Sequence, residues 1–196
     1  MSRLIWTALL TLVCLADPVL ASPRLVATSA STPLRGWLGF CEREPAECAV
    51  DAAEPETVTL SDSTRELIKA VNELVNHSVK AVSDQAHWNV VDQWDFPSDG
   101  YGDCEDYQLL KRKFLVEAGL PRRALRITVV IDETNAGHAV LMVRTNEGDF
   151  ILDNRTNAVL RWSEINYDFV KRESADSVGW VLLEPESNRT VVAMAQ

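Results

Sequence analysis

An α+β fold follows from the order of hydrophobic periods along the 196 residues: stretches with helical spacing come first and stretches with strand spacing come after. Ser61, Asp62 and Ser63 can cap a first helix, and Leu67, Ile68, Val71, Leu74, Val75, Val79 and Val82 recur along one face, which predicts a core-facing helix ending near Asp84. A second helix begins at the N-cap Asp103, with Asp106 three residues on. Its stripe is Tyr107, Leu110, Phe114 and Ala118, and Gly119 and Pro121 stop it. Beyond Pro121 the period changes to two: Leu125, Ile127, Val129 and Ile131 alternate with Arg126, Thr128, Val130 and Asp132. His138 to Arg144 forms a second strand, Asn146-Glu147-Gly148 a turn, and Asp149 to Asp153 the returning strand of an antiparallel hairpin. Gly179 to Glu184 and Thr190 to Met194 add two further strands.

The remaining segments are punctuation. Ser, Thr and Ala crowd the stretch up to Thr32, which reads as a loose lead-in, and Ala49 to Thr59 reads as an acidic connector. Asp84 to Gly102, with Trp88, Trp94, Phe96 and Pro97, suits an ordered loop wall. Arg3, the apolar run from Leu4 to Leu15 and the small residues closing Val19-Leu20-Ala21 make residues 1–21 an export signal, leaving 22–196 as one domain of roughly 175 residues. The run is too short for a permanent anchor of about 20 apolar residues. A soluble protein outside the cytoplasm, periplasmic or secreted, is the expectation.

Losing the signal removes one Arg and one Asp and keeps the formal net charge at −10. That balance argues against nucleic acid, whose phosphates require basic patches, and against adsorption to anionic lipid. It suits a soluble protein that meets calcium or a basic segment of a partner.

Of the four cysteines, Cys14 leaves with the signal, and Cys41 and Cys48 lie close together in FCEREPAEC, with Pro45 between them to favour a turn. An oxidising compartment lets that pair close a small disulfide loop. Cys104 is the thiol left over, either buried and inert or reactive.

In GYGDCEDY that thiol takes the first helical position, where free N–H groups and the positive end of the helix dipole stabilise a thiolate and an oxyanion. A base must come from elsewhere. His77 falls off the apolar stripe of its helix and reads as a surface residue, and His87 beside Trp88 suits packing or capping. His138 opens a strand after Asn135-Ala136-Gly137 and can project toward the helix terminus. Asp153 closes the hairpin that His138 opens, so it can accept the imidazole N–H and fix the tautomer. A packed cysteine, a loop-edge histidine and a turn-forming aspartate are the plainer account of the same three residues. Asp103, Glu105 and Asp106 crowd negative charge around the thiol and oppose its ionisation. They either cap the helix or ligate a cation.

GDCEDY at 102–107, the helix to Gly119-Leu120-Pro121, GHAVLMV at 137–143 and FILDN at 150–154 together resemble the bacterial transglutaminase-like cysteine proteinases, which include the LapG-type periplasmic proteases. The likeness is strong from Trp88 to Arg155, and WLGFCEREPAEC at 37–48 is similar to the N-terminal part of the shorter members. It implies a transglutaminase or papain-like core, with the catalytic cysteine at a helix N-terminus packed against an antiparallel sheet. It also implies Cys104 as nucleophile, His138 as base and Asp153 as orienting acid, with calcium held by Asp103 and Glu105. The partners it implies are a protein substrate such as a surface adhesin, as in biofilm release, and a regulatory inner-membrane protein. Two other functions use the same residues: acyl transfer to an amine, as in transglutaminases, and calcium-dependent binding with an idle thiol. Mass spectrometry without reduction is expected to recover a Cys41–Cys48 bridge, and a Cys41–Cys104 bridge in active protein contradicts it.

Overall fold

The computed structural model describes residues 24–185. The export signal at 1–21, with Cys14, and the strand expected at 190–194 lie outside the described residues. In chain order the elements are β1 (Leu25–Ser31), α1 (Arg35–Arg43), α2 (Pro45–Cys48), α3 (Asp62–Ser78), β2 (Lys80–Ala81), α4 (Asp84–His87) and β3 (Tyr101–Gly102). There follow α5 (Cys104–Glu117), β4 (Leu125–Ile131), β5 (Gly137–Thr145), β6 (Gly148–Asp153), β7 (Thr156–Arg161), β8 (Asp168–Glu173) and β9 (Trp180–Pro185). The long strands form one seven-stranded sheet in the order β1-β9-β8-β4-β5-β6-β7, antiparallel at each pairing. Helices gathered against one face of an antiparallel sheet make the fold α+β, as the hydrophobic periods predict.

Alternation divides the sheet into two faces. Ile127, Leu141, Val143, Phe150 and Leu152 pack with Ile68, Val71 and Val75 of α3 and Leu109 and Leu115 of α5 in the main core. Val130, Val140, Met142 and Ile151 point the other way, into a smaller cluster with Leu25 and Leu183. Because both faces are covered, β4 and β5 are buried along nearly their whole length.

Several expectations need correction. The lead-in is not loose: Leu25–Ser31 pairs with β9 and carries Leu25 into the second core. The first helix stops at Ser78, before Val79 and Val82, because the N–H groups of Lys80 and Val82 bond Gly100 O and Gly102 O instead of continuing the helix. On α5 the expected stripe holds only in part: Tyr107 is buried, Leu110 and Phe114 are partly buried against the core, and Ala118 is exposed. Glu105 to Leu109, Lys111, Arg112 and Leu115 are buried, since α3 packs on one side of this helix and the sheet on the other. Its stop does hold: Gly119 adopts φ +96° and Leu120 N–H returns to Leu115 O at 3.0 Å.

One buried ion pair ties helices to sheet. Glu173 accepts from Arg112 at 2.6 Å, from the Trp37 indole at 2.8 Å and from Ile127 N–H at 3.0 Å. Burial alone pushes this carboxyl up, and the guanidinium groups of Arg112 and Arg126 outweigh that and hold it down. The Cys41–Cys48 disulfide closes the α1–α2 corner beside it, with the Cα atoms 5.6 Å apart. Glu173→Leu leaves Arg112 buried without a counter-charge, and a loss of about 3–5 kcal/mol is expected in urea unfolding.

Candidate functional site

Asp103 is the N-cap of α5 with an extended backbone, and Asp106 reaches back to accept its N–H at 3.3 Å. Cys104 therefore starts the helix, as GDCEDY predicts, and it is the free cysteine among the described residues. A cleft of about 200 Å³ opens at this terminus, lined by Cys104, Glu105, Trp94, Val129, His138 and Ala139, with Leu34, Asp92 and Gly137 at its margins. Both the thiol and the imidazole thus border one hollow, although the sulfur's hydrogen bonds go elsewhere. It donates to Glu105 Oε2 at 3.1 Å and accepts from the Ala139 N–H.

His138 opens β5 and Asp153 ends β6, and the hairpin register, with Leu141 opposite Leu152, brings the two together. His138 Nε2 lies 2.9 Å from Asp153 Oδ1, with both side chains buried. Committing Nε2 to the carboxylate leaves Nδ1 as the nitrogen free to exchange a proton with a thiol. Asp153 is itself fixed, because Tyr167 O–H donates to Oδ2 at 2.9 Å and Arg155 N–H to Oδ1 at 3.0 Å. Burial pushes the Asp153 carboxyl up, and the hydrogen bond and charge of His138 overcome it, so the group sits below the usual carboxylate range.

The thiol is in the opposite situation. Burial pushes the Cys104 pKa far up, and the adjacent Glu105 carboxylate adds to it both by charge and by accepting the S–H, while Ala139 N–H pulls weakly the other way. Glu105 shares the difficulty. Its carboxyl is raised by burial and then by Asp103, whose side chain hydrogen-bonds to it. Two carboxyl groups in contact behind a helix terminus need either a shared proton or a cation.

The residues fit a hard cation. Carboxylate oxygens of Asp84, Asp92 and Glu105 lie within 4.8 Å of one another, as do ligand atoms of Asp103, Cys104 and Glu105 and those of Asp84, Asp103 and Asp106. Asp103 Oδ1 is buried without a hydrogen-bond partner. Apart from the Cys104 sulfur these donors are carboxylate oxygens, from five chain positions, and carboxylate oxygens are the kind calcium takes. The expectation that Asp103 and Glu105 converge thus has a geometric basis: α4 and the loop after it supply Asp84 and Asp92. Those two were not singled out in the sequence, because acids 11 and 19 residues before Asp103 carry no motif. Asp84 N–H donates to Asp103 Oδ2 at 3.3 Å, and Asp84 Oδ2 accepts from Gln93 N–H at 2.5 Å.

Lys111 and Tyr167 also escaped the sequence analysis. Lys111 is fully buried on α5, its ammonium has no hydrogen-bond partner, and burial pulls it down to about 7 against the attraction of Asp153. His77 lies on the surface, and His87 stacks on Trp88 with ring centroids 3.9 Å apart, as expected of both.

The sequence profile described as bacterial transglutaminase-like cysteine proteinase, BTLCP, matches residues 26–188. The chain belongs to this family. Among solved structures it is similar to calcium-bound Legionella pneumophila LapG, at 29% identity and a TM-score of 0.53 over 60% of this chain and 68% of that one. The EGTA-treated form of LapG matches at 28% identity and a TM-score of 0.52, over 63% of this chain and 73% of the other. No curated protein sequence matches the chain. The family and these neighbours make this member of the transglutaminase-like proteinases a cysteine peptidase.

The raised carboxyls give a pH signature. Glu105 and Asp84 hold protons more tightly folded than unfolded, where they titrate near pH 4, so their contribution to stability falls as pH rises above about 4. A cation favours the ionised carboxylates and competes with those protons. Scanning calorimetry should therefore show calcium raising the melting temperature more at pH 8 than at pH 5, and equal shifts contradict the assignment.

Proposed function

We propose that this chain is an exported, calcium-dependent cysteine endopeptidase that makes limited cuts in a surface or secreted protein such as an adhesin. Cys104 is the nucleophile, His138 the acid and base, and Asp153 the carboxylate that orients it. The observation that carries this is the cleft bordered by Cys104 and His138, with the far nitrogen of the imidazole bonded to Asp153. Residues 1–21 are the export signal, so the enzyme works in the periplasm or outside the cell. A regulatory inner-membrane protein is its proposed control. No helix among the described residues is long and apolar enough to cross a membrane.

In the reaction, the Cys104 side chain exchanges Glu105 for His138 Nδ1, which takes the thiol proton. The thiolate then adds to the peptide carbonyl, the free N–H at the start of α5 stabilises the oxyanion, and the imidazolium protonates the departing amine as the C–N bond breaks. His138 next takes a proton from water, whose oxygen attacks the thioester. The acid product leaves and the thiol is restored. Asp153 holds the ring orientation and stabilises the imidazolium without accepting its proton.

Asp103 and Glu105, with Asp84 and Asp92, are the proposed calcium ligands. Calcium held there would supply positive charge that favours the ionised Glu105 and competes with its bond to the sulfur. Support comes from the clustered carboxylates of this chain and from LapG, which is calcium-bound in a matching structure. Cys104→Ala should lower cleavage by about 10⁴-fold or more while leaving the melting temperature close to wild type. An active Cys104→Ala protein ends the nucleophile assignment, and undiminished cleavage in EGTA ends the calcium assignment.

A further inference from the structure

We propose that the sheet face turned away from α5 holds a small oxyanion, a phosphate, sulfate or carboxylate group, between Arg144 and Arg172. The register assembles the site. Arg126 on β4 is opposite Met142 on β5, Thr128 is opposite Arg172 on β8, and Arg144 on β5 is opposite Asp149 on β6. Directly opposed residues share a face, so three guanidinium groups gather on the side of Val130, Val140 and Ile151. Arg144 lies six residues along β5 from His138, about 20 Å away, so the site is separate from the thiol cleft.

A cavity of about 330 Å³ opens here, with Arg144, Arg172, Glu56, Ser174 and Asp176 in its lining and Arg24 at the edge, donating to Thr145 O at 2.7 Å. Arg172 is 3% exposed, yet its Nη1 meets the Met142 thioether at 3.3 Å and its Nε has no hydrogen-bond partner. Arg126 is 3% exposed and donates through Nε to Arg123 O at 3.0 Å, leaving Nη2 without a partner. Arg144 Nε also lacks a hydrogen bond, with Asp149 Oδ1 3.6 Å away.

The nearby carboxylates answer Arg144 in part and leave the Arg172 guanidinium without a carboxylate hydrogen bond: Asp149 Oδ1 lies 3.6 Å from Arg144 Nε and has no hydrogen-bond partner of its own. Asp149 Oδ2 accepts from Leu25 N–H at 3.1 Å, Glu56 bonds Arg123 at 2.8 Å and Arg144 at 3.4 Å, and Asp176 bonds Arg123 at 2.7 Å. Burial and the neighbouring charge of Arg144 together pull Arg172 down to about 10, against the weaker attraction of Asp149. A buried guanidinium with only a sulfur acceptor is a donor set lacking its anion, in a chain whose formal net charge is −10. The planar fork of arginine matches oxyanion geometry, and two forks at one cavity set the ligand class.

Isothermal titration of the full chain with sodium sulfate, at ionic strength held constant with chloride, is expected to give one saturable site per chain. Arg144→Gln should weaken it at least tenfold. If that variant does not fold, Arg144→Lys keeps the charge, loses the fork and is expected to weaken binding in the same direction. A flat wild-type titration, or an affinity that neither variant changes, overturns the site. Phosphate in calcium-free buffer and acetate run in parallel identify the occupant: tighter tetrahedral anions assign an inorganic ligand, and tighter acetate a carboxylate.

Discussion

The hydrogen bond from the Cys104 thiol to Glu105, 3.1 Å long, sets the condition under which this site can do chemistry. Burial favours the neutral thiol, and a carboxylate accepting its proton favours it further. Against these stand the start of α5 and the Ala139 N–H, which favour the thiolate. The balance tips only when the charge on Glu105 is answered by something other than the thiol. A proton shared with Asp103 would leave the sulfur no better off, whereas a cation in the acidic cluster would answer the charge and, in the proposed mechanism, leave the imidazole to take the thiol proton. In the proposed mechanism, activity is thereby conditional on what occupies the acidic cluster behind Cys104.

The acidic cluster survives in the fold because its members also organise the loop around them. Asp92 accepts from Gly36 N–H at 3.0 Å and from the Trp94 indole at 3.0 Å, and Asp106 accepts from Asp95 N–H at 2.8 Å. Gly36 has to be glycine for this approach, since an added Cβ would lie 2.4 Å from Trp94 Cδ1. The carboxylates repel one another, yet Asp84, Asp92, Asp103 and Asp106 each hold a backbone or indole N–H. Farther along α5, Tyr107 O–H donates to Val79 O at 2.8 Å and Arg112 is fixed to Glu173, so the helix cannot slide away from the repulsion at its start.

The sheet separates two electrostatic problems. Near the mouth of the β5–β6 hairpin, His138 and Asp153 form a pair that Tyr167 and Arg155 complete, and each buried polar atom of Asp153 has a donor. At the other end of β5, Arg126, Arg144 and Arg172 each keep a buried donor nitrogen without a hydrogen-bond partner, and these unmatched donors are what point to a ligand. The same strand carries both because strand alternation places residues on a face without regard to what lies at its two ends.

Much of the fold was legible in local pattern. The change from helical to alternating period located α3, α5, β4, β5, β6 and β9, and Gly119 with Pro121 marked the end of α5, because caps, turns and periodicity are properties of consecutive residues. The edge strands β1 and β7 and the strand β8 were not read, since pairing partners decide them. The stripe on α5 held only in part for a related reason: a helix covered by α3 on one side and the sheet on the other has no single apolar face, and it buries Gln108, Lys111 and Arg112 as well. At the site, the sequence by itself determined that a cysteine would begin a helix and that a histidine and an aspartate would share a hairpin. Only the tertiary structure decided that Asp84 and Asp92 would meet Asp103 and Glu105, and that Arg126, Arg144 and Arg172 would share one face. Those meetings depend on how distant segments pack and pair, and charged side chains at irregular separations leave no period in the chain for a reader to find.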